Sequence, residues 1–210
     1  MSSPLNTRAA LKHFTSTDPI MAALLASALH HKKPLSLPEP KPPQEYFARL
    51  VRSIISQQIS IKAAESVFGK LTTLLPVLVP EAVLAVSDEA LRGCGLSGQK
   101  VKYVRHNAEL WHSLPIDHLA TMSDEEVIVV LTKLYGIGRW TAEMFLMFSL
   151  VRPDVFSYGD LGLMQSLYQH YPVRPHHTRK IAAIIDTWSP HRTLASLTLW
   201  WHKDGGPTAL

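Results

Sequence analysis

SDEEVIVVLTKLYGIGRWTAEMFLMFSLVRPDVFSYGDLGL, residues 123–163, is the stretch on which the reading of this chain turns. Ser123 followed three residues later by Glu126 is a capping box, and it opens a helix predicted to run to about Leu134. A second helical pattern resumes after Gly138. Between them, Leu134-Tyr135-Gly136-Ile137-Gly138 sets two glycines around one aliphatic residue. Glycine there permits positive φ and close approach of the backbone to a partner. Ile137 is expected to turn inward and pin the corner. The N–H groups of Gly136, Ile137, Gly138 and the residues after them, Thr141 included, then face out at a helix N-terminus. The helix dipole there favours an anion such as phosphate. Taken alone, the two glycines also suit an ordinary corner between helices, because glycine is common at helix ends.

Working outward, helix signals dominate. Asp18-Pro19 reads as N-cap and first helical residue before the apolar run Ile20 to Leu29. Pro34 to Pro43 holds five prolines and should be an extended connector. From Gln44 to Gln58, the positions Phe47, Leu50, Val51, Ile54 and Ile55 follow the spacing of one buried helical face. Ser60 caps a helix to about Leu75, and Ser87 and Ser97 each precede a short one. Thr178 and Ser189-Pro190 are expected to open two more. No segment alternates as a strand would, and there is no internal repeat. The prediction is an all-α chain of nine to eleven short helices.

Composition narrows the classes. With 46% hydrophobic and only 18% charged residues among 210, the chain can bury a full core and is not a disordered one. Twenty-one Lys and Arg against seventeen Asp and Glu give +4, which is compatible with a polyanionic partner. The single cysteine, Cys94, excludes an internal disulfide framework, a four-cysteine zinc site and an iron–sulfur cluster. The first residues lack a signal-peptide core, and the longest greasy run, Met144 to Val151, is too short to span a bilayer. A cytoplasmic protein with no membrane partner is expected (nucleoid-associated if bacterial). His30-His31 and His176-His177 lack a carboxylate at ligand spacing and read as loop residues.

In combination, GIGRWTA at 136–142, RPDVF at 152–156 and DLGL at 160–163 resemble the helix–hairpin–helix DNA glycosylase superfamily. Within it, they look like the 3-methyladenine DNA glycosylase II type, which removes alkylated bases. Ile55-Ser56-Gln57-Gln58-Ile59-Ser60 with Ala63-Ala64, and Leu96-Ser97 with Lys100 and Tyr103, agree with that pattern. The resemblance covers about residues 44–205. It implies two helical subdomains with the active-site cleft between them. Residues 1–43 would be an N-terminal helix and connector packing with the C-terminal subdomain. Residues 44–150 would form the subdomain holding the helix–hairpin–helix at about 123–150, and residues 151–210 would complete the other.

The implied activity is monofunctional excision of alkylated purines (3-methyladenine, 7-methylguanine) from double-stranded DNA in base excision repair. The base is flipped and its N-glycosidic bond hydrolysed. Asp160 stands at the family's catalytic position, where a carboxylate offsets charge at an oxocarbenium-like sugar. It also reads as a helix N-cap, and the two roles are compatible. Asp154 instead suits capping or pairing with an arginine. Bifunctional members carry a lysine where this chain has Trp140, so a lyase step is not expected. Trp140 and Trp200 would line the base pocket, with the adjacent Trp201 leaving that register open. Met144 and Leu161 replace aromatic positions of the pocket, which should be more open. About forty residues precede the helical core, fewer than the extra N-terminal domain of the best-known bacterial members, so pocket residues from that domain are expected to be missing. Gln58 occupies the position that plugs the stack, while Gln57 suits a structural role. The backbone carbonyls of Thr132, Leu134 and Ile137 would hold Na⁺ or K⁺; no other cofactor is required, and a monomer is expected. Excision of uracil, mismatched thymine or oxidised purine, or a non-catalytic DNA-binding module, are the alternatives.

Overall fold

The computed structural model describes residues 5–205, and no strand occurs among them. Helices α1 (Thr7–Thr17) and α2 (Pro19–His30) precede the proline-rich segment. Six follow it: α3 (Tyr46–Ser56), α4 (Ile61–Leu74), α5 (Pro80–Ala85), α6 (Asp88–Gly93), α7 (Gly98–Leu110) and α8 (Asp124–Leu131). The chain continues with α9 (Arg139–Phe148), α10 (Leu161–His170), α11 (Thr178–Asp186) and α12 (Arg192–Asp204). Short 3-10 turns lie at Pro43–Glu45, Trp111–Ser113 and Ile116–Thr121. The described residues thus hold twelve α-helices, more than the nine to eleven expected. Part of the difference is α5, whose N-terminus has a proline but no capping side chain to announce it. No helix among them is long and apolar enough to cross a membrane.

The caps explain most helix starts. The Asp18, Ser60, Ser87, Ser97 and Ser123 side chains each accept a backbone N–H three residues on, and Glu126 returns the bond to Ser123. Two boundaries differ from the sequence expectation. α8 stops at Leu131 rather than near Leu134, because 131–134 tightens into i→i+3 bonds as the corner begins. α12 starts at Arg192 rather than at Pro190, and its cap comes from far away. The Arg192 N–H donates to Asp154 Oδ1 at 3.1 Å.

The chain divides into two compact units. One takes the residues up to Pro40 with those from Leu146 onward; the other is Lys41–Phe145. The division falls inside α9. In the second unit, all five positions picked out on α3 (Phe47, Leu50, Val51, Ile54, Ile55) are buried. Each such side chain contributes about 1.5–3 kcal/mol when fully buried. Phe47 meets Trp111 and Tyr46 meets Phe145, both edge-on at 5.0 Å. α3 packs on α4 and α7.

In the first unit, α12 is the central element. Every residue from Thr193 to Trp201 is buried, which makes it a helix apolar on all sides with its few polar groups satisfied. Ser166 Oγ donates to the Leu199 carbonyl at 2.7 Å, and Thr193 Oγ1 to that of Arg152 at 2.5 Å. α12 packs against α2 and α10. Asp18 does more than cap α2: its Oδ2 accepts from Tyr171 O–H at 2.8 Å and from Trp188 Nε1–H at 2.7 Å. That buried carboxylate fixes the N-terminal helices to the residues just after α10 and α11. Burial, followed by the Asp18 hydrogen bond, pushes the Tyr171 hydroxyl far above its ordinary value, so it stays a donor.

Candidate active site

The corner between α8 and α9 is built from main-chain geometry and held from three directions. Leu134 N–H bonds the Leu131 carbonyl, Ile137 N–H bonds the Leu134 carbonyl, and Ala142 N–H bonds the Gly138 carbonyl, at 3.0, 3.2 and 3.0 Å. Ile137 is buried, as expected for the pin, and so is Leu134. Gly136 sits at φ +77°, and a Cβ on it would lie 2.6 Å from Tyr103 Cδ2. Its lack of a side chain is therefore required twice over. Gly138 has neither constraint: a Cβ there meets nothing within 4 Å, and the residue is exposed. Only the first glycine makes the turn, and the second leaves the surface bare. Thr141 follows in the first turn of α9 with its side chain buried. The Leu134 carbonyl, given over to Ile137 N–H, keeps one lone pair.

Asn107 of α7 and Gln57, just after α3, clamp this corner, and Lys100 of α7 braces the turn that carries Gln57. Asn107 exchanges two hydrogen bonds with the Tyr135 backbone, donating to its carbonyl at 2.9 Å and accepting its N–H at 2.7 Å. Gln57 Nε2 donates to the Gly136 carbonyl at 2.7 Å. Lys100 Nζ donates to the carbonyls of Ile55 and Gln57, both at 2.7 Å. Burial pushes the Lys100 ammonium below its ordinary value. Arg139 ties α9 back to Glu125 of α8, at 2.5 and 3.1 Å.

The turn joining α3 to α4 is thus anchored to the hairpin, and one residue of it is strained. Gln58 has φ +59°, a left-handed conformation that costs a non-glycine residue about 1–2 kcal/mol. Gln58 is exposed, and so are its neighbours Ile59 and Ile61, the latter 74% exposed. Gln57 turns in to the hairpin while Gln58 turns out. On α9, Trp140 is 47% exposed. Met144, one turn on and half-buried, shares its face.

In the other unit, Asp160 is the N-cap of α10 and is buried. Its Oδ1 accepts the Leu163 N–H at 2.7 Å and Trp200 Nε1–H at 3.2 Å. The two adjacent tryptophans differ in what they touch. Trp200 reaches the carboxylate and lies 5.8 Å from Phe148, whereas Trp201 donates to the Lys33 carbonyl at 3.3 Å and meets His31. Leu161, beside Asp160, is 77% exposed. Asp154 has the other fate foreseen for it. Its carboxylate takes both Arg192 Nε and Nη2 at 2.9 Å and Ser189 Oγ at 2.8 Å. Burial raises its carboxyl, but these bonds together outweigh burial and hold it below the ordinary range.

Asn107 carries no motif, so sequence reasoning missed it; Gly162 lies in the DLGL segment with no local signal for its role. A Cβ at Gly162 would stand 3.0 Å from Asp160 Oδ1.

Residues 51–191 match the HhH-GPD superfamily of base excision DNA repair proteins. DNA-3-methyladenine glycosylase 1 of Schizosaccharomyces pombe is 33% identical over 165 residues, 75% of this chain and 72% of that protein. The crystal structure of a DNA-3-methyladenine glycosidase from Bacillus halodurans superposes with a TM-score of 0.79 at 36% identity, covering 92% of this chain and 88% of that one. A Schizosaccharomyces pombe 3-methyladenine DNA glycosylase in complex with abasic DNA superposes with a TM-score of 0.72 at 28% identity, covering 93% and 97%.

Proposed function

Since the chain belongs to the HhH-GPD superfamily of base excision DNA repair proteins, we propose that it is a monofunctional DNA glycosylase releasing alkylated purines. The observation that carries the reading is the setting of Asp160. One oxygen is fixed by a helix N-terminal N–H and an indole N–H, so the carboxylate is oriented before any substrate arrives.

The reaction follows from that charge. The extruded nucleotide loses its base as the C1′–N bond breaks and the electron pair leaves with the purine. A 3- or 7-alkylated purine carries positive charge, departs neutral, and needs no proton donor. Positive charge passes to the sugar, where Asp160 stabilises it; water then adds to C1′ and gives up a proton. The exposed face of Trp140 suits an electron-poor cationic base. Trp140 has no amine, so no Schiff base forms at that position. The hairpin N–H groups from Gly136 to Thr141 would take a backbone phosphate, and the carbonyls of Thr132, Leu134 and Ile137, oxygen donors suited to a hard ion, would hold a monovalent cation beside it. Gln58 would fill the hole in the stack.

The deciding measurement is free-base release from duplexes carrying methylated purine, uracil or 8-oxoguanine. Release of methylated purine is expected, leaving an intact abasic strand and no borohydride-trappable adduct. Preferential release of uracil or 8-oxoguanine, or a trapped adduct lost on mutating one lysine, contradicts the reading.

Gln58→Gly separates stability from wedge function. It relieves the left-handed strain and should raise stability by about 1 kcal/mol. It should still slow excision more from a well-paired lesion than from the same lesion opposite a mismatch, because unpairing costs a few kcal/mol only in the first case. Equal slowing in both contexts would show that Gln58 is not the plug.

A further inference from the structure

The space beside Asp160 is kept open by a missing side chain, and a cation borders it. The point where a Gly162 Cβ would sit is 3.0 Å from Asp160 Oδ1, 3.4 Å from Trp200 Nε1 and 3.4 Å from Lys203 Nζ. Alanine is the stronger helix former, so the glycine in the first turn of α10 serves the gap rather than the helix. Lys203 lies three residues after Trp200 on α12, which puts both side chains on one face toward α10. Its ammonium therefore stands near the N-terminal end of α10, where the dipole disfavours a cation. The Asp160 carboxylate borders the same gap.

A carboxylate in a DNA site also meets a difficulty of its own. The nucleotide it serves brings phosphates on both sides of the sugar, and these repel it. We propose that Lys203 is a positioning residue: its ammonium offsets the Asp160 carboxylate, so that the carboxylate can approach C1′ of a nucleotide flanked by its own phosphates. This rests on the glycosylase reading above.

The test uses the full chain and a duplex holding a tetrahydrofuran abasic-site analogue, which binds without turnover. Dissociation constants are compared at about 50 and 200 mM NaCl. The proteins are the parent, Lys203→Met, Lys203→Arg, Asp160→Asn, and Asp160→Asn with Lys203→Met. At the lower salt, Lys203→Met should weaken binding about fivefold in the parent but less than about twofold beside Asp160→Asn. Lys203→Arg should keep parental affinity, and the coupling should shrink at the higher salt as charges are screened. Lys203→Gln repeats the measurement should the methionine variant aggregate. Coupling below about threefold at the lower salt, or a loss that arginine does not restore, overturns the proposal. Equal losses in both backgrounds would mean that Lys203 grips phosphate by itself, which also overturns it. Absence of alkylbase release by a parent that shows the coupling would sink the glycosylase reading and leave charge compensation as a property of DNA binding.

Discussion

Asp160→Asn should lower the single-turnover rate of alkylbase excision by about 10²-fold or more while leaving fold and DNA affinity in place. The substitution is chosen for what it keeps. Asparagine is as good an N-cap as aspartate, so its amide oxygen can still accept the Leu163 N–H and the Trp200 indole N–H. Only the negative charge goes. Asp160→Ala removes the cap as well and should lose about 1 kcal/mol of stability on top of activity. Comparing the two variants by thermal melting and by base release separates the capping role from the chemical one. Excision by Asp160→Asn within about tenfold of the parent, with an unchanged melting temperature, would remove this residue from the mechanism.

The two hairpin glycines should respond in opposite ways to the same change. Gly136→Ala forces a side chain into left-handed backbone, at about 1–2 kcal/mol, and drives a Cβ to 2.6 Å from the Tyr103 ring. Overpacking of that kind costs about a further 1–3 kcal/mol. The melting temperature should fall by about 5–15 °C for a chain of this size. Displacing Gly136 also breaks its carbonyl's bond from Gln57, so the turn bearing Gln58 loosens with it. Gly138→Ala enters open space and should change stability by no more than about 0.5 kcal/mol. Gly138→Asp should fold as well, yet weaken duplex binding by about tenfold or more, because a carboxylate then faces the phosphate that the hairpin N–H groups would hold. A stable Gly136→Ala, or a Gly138→Asp that keeps full affinity, would contradict this division of labour.

What could be read from the chain alone was whatever repeats or closes within a few residues. The Ser123 capping box, the Asp18-Pro19 start and the 3-4-3-4 face of α3 are local, because a helix bonds residue to residue four apart and buries one stripe. The corner after α8 and the N-cap at Asp160 were legible for the same reason, whereas reading them as hairpin and catalytic position rested on the resemblance of the combined motifs. The remainder depended on pairs that no period connects. Asn107 finds Tyr135 across 28 positions, Gln57 finds Gly136 across 79, and Asp154 supplies the cap of a helix 38 residues away. The register of Trp200 against Trp201 could not be resolved locally, since α12 is buried on every side and periodicity is silent when no face is polar. Only the packing of α12 on α10 turned Trp200 toward Asp160. The same packing set Lys203 beside Gly162, because a helix side chain's partner is decided by which neighbouring helix its face meets.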